Sequence, residues 1–374
     1  MEITQIKKII RKWPAYRKFI ENKGVRPEKI KGMEDLPVID RQFISSAIHM
    51  IPLFRVRNII PSSGSTGNDF SFGLFGDPDI KKTSFAFDAM LRDRFHTAYK
   101  KTLLVNMLPG AVSLQSSSVT VASIGVRTDT AISVIKSFGS CFDQMILAAE
   151  PLFMKNLIEL GIEKSIPWKH IPLYILIGGE WTPFGYGNYL ETMAGPQRAY
   201  SLMGMAELGP NFLFETDETI LLRKLMFEDP LLRQTILGNA AFCPMLFEYN
   251  ESDIYIETVS SPMGPFDSIV LTTTDPGRAL PLIRYNGGDK GKVLSRDMIN
   301  RALESRHYRP VFDTGGSPVL AHFGRGADLA EIYPEKIKEI IYGSEEIAST
   351  TTGNFRLCRK EDAIVLKIQL KEGV

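Results

Sequence analysis

Four short segments combine glycine, hydroxyl and charged residues in patterns suited to a phosphorylated ligand. Ser62-Ser63-Gly64-Ser65-Thr66-Gly67 joins glycines, whose bare backbone lets N–H groups crowd around an anion, to hydroxyl donors. A triphosphate is the obvious guest. The segment lacks the Lys-Ser/Thr ending of a Walker A loop, and a flexible surface loop has the same composition. Residues 199–209 form an apolar strand that runs into Gly204 and then Glu207. That acid is either a solvated loop residue or, facing the phosphate loop, a magnesium ligand, because Mg2+ takes a carboxylate alongside phosphate oxygens. Residues 281–289 read as a short strand ending in a Gly287-Gly288 turn, where Asp289 either caps its own backbone or accepts two ribose hydroxyls. Phe323-Gly324-Arg325-Gly326-Ala327-Asp328 is either a linker or a hinge that carries Arg325 toward phosphate or ribose.

The chain that must position these segments has 374 residues, 44% of them hydrophobic, with 44 Lys+Arg against 43 Asp+Glu. That composition is ordinary for a globular protein and leaves room for a large domain and a small one. A net charge near zero lacks the basic excess of a nucleic-acid binder, so no nucleic-acid partner is expected. Cys141, Cys243 and Cys358 form no CxxC pair, and His49, His96, His170, His307 and His322 no HxH or HExxH spacing. A zinc site is therefore not expected, and a reducing cytoplasm is the natural compartment. The first residues lack the apolar run of a secretory signal, and no stretch approaches 18 uninterrupted apolar residues, so a soluble protein with no membrane partner is expected.

Periodicity predicts helices in the first forty residues, over 79–100 after Asp77-Pro78, and over 143–160, stopped by Gly161. Strands are expected over 102–108, 118–126 and 173–177, the last fully apolar and suited to burial on both faces. This alternation argues for an α/β layered core. After residue 240 strands follow one another over 253–259, 267–273 and 292–294, which reads as an antiparallel sub-sheet or small barrel. A helix over 334–341 and a strand over 363–370 complete the pattern.

In order and rough spacing these segments resemble those of the adenylate-forming superfamily of acyl–CoA synthetases and adenylation domains, above all its phenylacetate–CoA ligase branch. Residues 35–41, Asp-Leu-Pro-Val-Ile-Asp-Arg, are similar to an N-terminal extended segment of that branch, and residues 61–67 to its phosphate loop. Gly178-Gly179-Glu180-Trp181-Thr182 resembles its adenine-binding Gly-Ala-Glu-Pro-Trp-Thr. Residues 203–210 resemble its Tyr-Gly-x-x-Glu-x-x-Gly-Pro, residues 283–289 its Arg-Tyr-Arg-Thr-x-Asp, and residues 324–328 its Gly-Arg-x-x-Asp hinge. The resemblance covers nearly the whole chain. It implies layered α/β sheets plus a small antiparallel β-sub-barrel in a large ATP- and acyl-binding domain, residues 1–323. A small, shortened α+β C-terminal domain, residues 324–374, would follow a hinge.

The same resemblance implies ATP, Mg2+ and CoA. Ser62, Ser63, Gly64, Ser65, Thr66 and Gly67 would hold the β- and γ-phosphates, and Gly178, Gly179 and Glu180 would line the adenine. Met203 and Gly204 would lie beside nucleotide and acyl group, Glu207 would bind Mg2+, and Asp289 would hold the ribose. Arg325 would reach ribose or phosphate as the small domain rotates. Thr66, Glu207 and Arg325 would thus stand closest to the chemistry. A small carboxylic acid attacks the α-phosphorus in line, pyrophosphate leaves, and the acyl-adenylate passes to a thiol, usually that of CoA. Many relatives form dimers, which allows a homodimer here.

The chain also departs from that pattern. Asn68-Asp69 stands where the family usually has Lys-Pro, Met203 replaces an aromatic residue, Ala206 replaces Thr or Ser, and Asn286-Gly287 softens the ribose motif. About forty-six residues follow Asp328, fewer than in the family's small domain, and its Gly-Lys loop, whose lysine touches carboxylate and α-phosphate, has no counterpart. Lys367 and Lys371 fill that place only by default, and lysines on an exposed strand edge commonly discourage aggregation. Phe138, Phe142, Phe184 and Tyr200 are candidate walls of the acyl pocket, although aromatics beside glycines equally pack a core. His322 either faces the nucleotide or sits on a surface loop, and Cys141 has no paired base. Two other readings stand beside a CoA ligase: acyl transfer to a carrier protein or other acceptor, and a degenerate nucleotide-binding scaffold.

Overall fold

The computed structural model describes residues 3–62, 71–109, 114–195, 198–238, 241–261, 265–275, 277–313, 315–326, 332–361 and 363–373. The N-terminal third runs α1 (Ile3–Lys12), α2 (Pro14–Asn22), α3 (Arg41–Ala47), β1 (Asn58–Pro61), β2 (Phe72–Phe75) and α4 (Asp77–Phe95). Next come β3 (Thr102–Asn106), β4 (Thr120–Ser123), α5 (Thr128–Phe138), β5 (Gln144–Ala149), α6 (Pro151–Glu163), β6 (Leu173–Ile177), α7 (Phe184–Ala194) and β7 (Arg198–Met205). They are followed by β8 (Gly209–Phe214), α8 (Asp217–Glu228), α9 (Pro230–Leu237), β9 (Met245–Glu248), β10 (Ile254–Val259), β11 (Ser268–Thr273), β12 (Tyr285–Leu294), α10 (Arg296–Ser305) and β13 (Val319–His322). The last elements are α11 (Pro334–Tyr342), α12 (Glu345–Thr350), β14 (Thr351–Lys360) and β15 (Ala363–Leu370).

Among the described residues eleven strands share one sheet, in the order β10-β11-β12-β13-β9-β8-β7-β6-β5-β3-β4. The five from β7 to β4 run parallel. From β7 to β10 the neighbours are antiparallel, so the α/β layer and the expected antiparallel strands join at β7. The central strands β3, β5 and β6 are buried nearly throughout because helices cover both faces, whereas the edge strand β4 is largely exposed. Their side chains alternate. Leu103, Val105, Met145, Leu147, Ile175 and Ile177 share a core with α5, α6 and α7. Leu104, Ile146, Ala148 and Leu176 share the opposite core with Phe87, Leu91 and Phe95 of α4. No helix among the described residues is long and apolar enough to cross a membrane.

Three expectations change. Residues 143–160 are not one helix but β5 followed by α6. Buried apolar runs look alike in strand and helix, and Pro151 supplies the distinction, since proline fits a helix's first turn but not its interior. Gly287-Gly288 is not a turn: both residues lie inside β12, opposite β11, where the pairing shifts register between Ser268 and Val270. The helix expected over 79–100 ends at Phe95, where His96 turns left-handed at φ 54°.

The C-terminal elements pack on α6 and α7. Tyr342 meets Tyr186 edge-on with ring centroids 4.9 Å apart. Lys155 of α6, only 1% exposed, donates to the Thr351 carbonyl at 2.9 Å and to Glu159. Glu159 also takes Tyr189 Oη and, at 2.9 Å, Lys371 Nζ. One buried ion-pair network thus ties β14 and the residue after β15 to the large domain. Removing a partner from a buried pair strands the remaining charge. Lys155→Ala is expected to cost about 3 kcal/mol in urea unfolding; a change below about 0.5 kcal/mol would contradict this tie.

Candidate active site

The parallel strands end along one edge of the sheet, and the turns just beyond them wall a cavity of about 1020 Å3. Leu108 and Pro109 follow β3, Glu150 follows β5, Gly178 to Trp181 follow β6, and Gly204 to Glu207 close β7. The chain passes from β3 outward to β4 and then back to β5 on the other side. Ligands of open α/β sheets bind at such a reversal, beyond the carboxyl ends of the strands.

Glycine is required at two points of the wall. Gly179 has φ +93°, and a Cβ there would come within 3.1 Å of Glu150. Gly324 has φ +78°, and a Cβ there would fall 1.9 Å from Glu335 Oε1. Both conformations are ones that L side chains rarely adopt.

Glu207 is 1% exposed. Its Oε1 accepts from Ser71 Oγ and, at 2.7 Å, from Tyr285 Oη, and Arg41 Nε stands 3.8 Å from the same oxygen. Ser71 in turn pairs with Ser62 through Ser62 N to Ser71 O at 2.8 Å and Ser71 N to Ser62 Oγ at 3.0 Å. The β1–β2 hairpin thus delivers Ser62 to the cavity next to Glu207. Arg41 arrives from the other direction. Ile39 bridges to β12 through Ile39 N to Arg284 O at 3.0 Å and Asn286 N to Ile39 O at 2.8 Å, and Asp40 caps α3 through Phe43 N at 2.9 Å.

Asp289 is buried between His322 Nε2 and Arg325 Nε, each 3.7 Å from its Oδ1. Burial alone would raise its carboxyl, but His322, Arg325 and Arg41 outweigh it and hold the group below the usual carboxylate range. Neither ring nitrogen of buried His322 has a hydrogen-bond partner among the described residues. Glu335, in the first turn of α11, shows the reverse balance: burial dominates and raises its carboxyl, although Arg325 N approaches Oε1 at 3.4 Å. Glu150 is raised too, by burial and then by Glu180. Lys338 Nζ reaches Glu180 Oε2 at 2.8 Å and the Trp181 carbonyl at 3.0 Å.

The cavity therefore gathers Ser62, Gly178, Gly179, Glu180, Met203, Gly204, Glu207, Asp289 and Arg325. Ser63, Gly64, Ser65, Thr66 and Gly67, with Asn68, Asp69 and Asp328, lie outside the described residues. His322 faces the cavity rather than a surface loop. The four aromatics expected around the acyl group do not line it. Tyr200 lies in the core against α4, edge-on to Phe95 at 5.7 Å, with its hydroxyl 3.2 Å from Asp217. Phe184 packs on Phe227 at 5.1 Å, Phe142 lies against the core of α5 and α6, and Phe138 is exposed at the end of α5. Aromatic character alone does not say which face of an element a residue occupies. An apolar wall comes instead from Ile80, Thr83, Ser84 and Phe87, one face of α4 at helical spacing, together with Leu108, Leu114 and Leu202. Lys367 is exposed on β15, and Lys371 pairs with Glu159, so neither reaches the cavity. Sequence reasoning missed Arg41, Arg57, Glu150, Glu335 and Lys338. Only Arg41 lay in a segment marked for its likeness to a ligase motif, as the last residue of 35–41.

This architecture, a large α/β domain built on a mixed sheet with small antiparallel sheets and a smaller C-terminal domain, is shared with solved two-domain CoA ligases. No family model and no curated protein matches the sequence; the likeness is to solved structures. A 2-hydroxyisobutyryl-CoA ligase in the postadenylation state with R3-HIB-AMP is similar over 99% of this chain and 77% of its own, with TM-score 0.68 at 14% identity. In an open conformation with 2-HIB-AMP and CoA, that ligase gives 100% and 84%, TM-score 0.63 and 16% identity. The anthranilate CoA ligase AuaEII with anthranoyl-AMP gives 85% and 58%, TM-score 0.51 and 11% identity. At these identities the likeness concerns the fold.

The two carboxyls with opposite shifts give opposite pH signatures. Asp289, depressed when folded, stabilises the protein above its unfolded pKa, and that contribution fades as pH falls through the folded value. Glu335, raised when folded, favours the fold below its unfolded pKa of about 4.3, and this is lost as pH rises through the folded value. In urea unfolding across this range, Asp289→Asn should lose stability relative to wild type at neutral pH and lose less in acid. Glu335→Gln should improve relative to wild type as pH rises. Parallel profiles for both variants would contradict these assignments.

Proposed function

We propose that the protein is an AMP-forming carboxylate ligase, of the phenylacetate–CoA ligase kind, that activates an apolar-tailed acid with ATP and passes the acyl group to CoA. The observation behind this reading is convergence. Segments around Ser62, Gly178, Glu207, Asp289 and Arg325, far apart in sequence, meet at one cavity beyond the carboxyl ends of the parallel strands. Each carries the residue type that a nucleotide needs at that place.

In this reading the Gly178-Gly179-Glu180 turn lines the adenine. The ionised Asp289 accepts the two ribose hydroxyls, with Arg325 and His322 beside it. Glu207 suits Mg2+. Among the described residues its hydrogen bonds fall on Oε1, and its carboxylate is the kind of ligand that Mg2+ takes alongside phosphate oxygens. When bound, Mg2+ would offset charge on the phosphate oxygens. The protein's own task is positioning. Arg41, Arg325 and Lys338 bring positive charge to the cavity wall, and the face of α4 with Leu108, Leu114 and Leu202 offers the acid's tail an apolar surface. A carboxylate oxygen bonds to the α-phosphorus as the bond to pyrophosphate breaks; thiol sulfur then attacks the acyl carbon and AMP leaves. Residues 324–374 act as the small domain, with Gly324 and Arg325 at its hinge. Lys338, which reaches Glu180 and the Trp181 carbonyl, is the lysine that the cavity wall offers to the reacting groups. Bound acyl-AMPs in the similar CoA ligases support the same chemistry here.

Calorimetric titration with Mg-ATP tests the nucleotide site. Wild type should bind, and Asp289→Ala, which removes an ionised acceptor of two hydroxyls, should weaken binding by about 10- to 100-fold. Glu207→Gln should weaken Mg-ATP while leaving metal-free ATP nearly unchanged. Folded wild type that takes up no Mg-ATP, or an Asp289→Ala indistinguishable from it, would contradict the assignment.

A further inference from the structure

Asp88 sits on α4 one residue beyond Phe87 and one turn beyond Ser84. The residue is only 4% exposed, yet its partners among the described residues include no cation. It accepts from Ser116 Oγ, from Ser117 N at 3.0 Å, from Ser117 Oγ at 2.6 Å and from Ser118 Oγ at 3.0 Å. Ser116 Oγ in turn accepts from Ser118 N at 3.0 Å and Val119 N at 3.2 Å. One turn earlier on the same helix face, Ser84 Oγ donates to the Gln115 carbonyl at 3.1 Å. Two residues of α4 at i and i+4 therefore grip the consecutive segment 115–118. Burying a carboxylate costs several kcal/mol unless it is well hydrogen-bonded, and here three hydroxyls and one amide do this. They outweigh the burial and keep the group below the usual carboxylate range. Apolar packing could hold a segment against a helix without such a group; directional bonds to a charge also fix where the segment lies.

What lies there is a cavity wall. Leu114, 4% exposed, belongs to the apolar cluster of Phe87, Leu108 and Leu202, and these four line the cavity. Asp88 does not. We propose that Asp88 is a positioning residue that, through Ser116, Ser117 and Ser118, holds Leu114 against Phe87 and so sets the apolar wall that receives the tail of the acid. The assignment of that wall to an acid rests on the ligase reading above. The nucleotide end of the cavity is carried by different elements, β6, β12 and the segment around Arg325. The clasp should therefore govern the acid and leave ATP alone.

Two readouts on wild type, Asp88→Ala, Asp88→Asn and Ser117→Ala test this. The first is amide hydrogen exchange at Ser117, Ser118 and Val119, whose N–H groups all bond within the clasp, with Met107 and Gly178 as controls bonded to β5. Exchange at the three amides should rise by about tenfold or more in Asp88→Ala, and less in Asp88→Asn and Ser117→Ala, with the controls unmoved. The second is pyrophosphate release with phenylacetate, benzoate and octanoate as probes. In Asp88→Ala the KM for the acid should rise about tenfold, the scale of one displaced leucine, while the KM for Mg-ATP stays within about twofold. Asp88→Asn should recover most of the difference. Unchanged exchange in Asp88→Ala would overturn the clasp whatever the turnover. Equal rises in both KM values, or raised exchange with an unchanged acid KM, would overturn its role toward the acid. A wild type that releases no pyrophosphate with any of the three acids, while exchange still rises in Asp88→Ala, would sink the ligase reading and the wall's assignment to an acid.

Discussion

Burial of the parallel strands on both faces restricts where polar chemistry can occur in this protein. Along β5 and β6 alternate side chains enter two different apolar cores, one under α4 and one under α5 to α7. A charged group anywhere on them would be stranded. Polar groups and glycines are displaced to the first residues beyond the strands: Glu150, the Gly178-Gly179-Glu180 turn and Glu207. The strands are parallel and in register, so these residues arrive at one edge and face one another across the cavity. β12, β13 and the N-terminal segment through Arg41 then close the space from the antiparallel side.

Within that space, charge is arranged rather than merely collected. Glu207 and Asp289 are both nearly inaccessible, but Glu207 is braced mainly by neutral hydroxyls and Asp289 by an imidazole and a guanidinium. That difference suits the proposed roles of the two acids, Glu207 as a metal ligand and Asp289 as an ionised acceptor of hydroxyls. Glu335, pushed the other way by burial, touches the same Arg325 segment. The contact between Glu335 and the Arg325 backbone is therefore sensitive to ionisation. The Lys155–Glu159 network is a second tie, joining α6 to β14 through the Thr351 carbonyl.

Much of this was legible because glycine and local apolarity leave strong marks. The run 173–177 was readable as a strand buried on both faces from its apolarity, and Gly178-Gly179 was legible through its likeness to an adenine-binding segment, Gly179 taking the φ of +93° that few other residues tolerate. β5 was not readable, since its apolar run continues into α6 and only Pro151 separates them. Arg41 and Lys338 were not assigned to the cavity because their approach depends on long-range docking: Ile39 on β12 for one, α11 against the Gly178 turn for the other. The aromatic candidates failed for a related reason. Residue type suggested a pocket, but the faces that Tyr200 and Phe184 present are set by tertiary packing. The wall of α4 at Ile80, Thr83, Ser84 and Phe87 had a legible period, but its polar members hid it among surface positions.

The central claim is that this cavity joins an acid's oxygen to the α-phosphorus of ATP. The most direct test supplies Mg-ATP and CoA with phenylacetate, benzoate or octanoate labelled with 18O in the carboxylate, and analyses the nucleotide product by mass spectrometry. The account predicts AMP carrying one labelled oxygen, because the carboxylate oxygen that attacks phosphorus stays with AMP when the thiol takes the acyl group. Unlabelled AMP, or ADP and phosphate in its place, would contradict it.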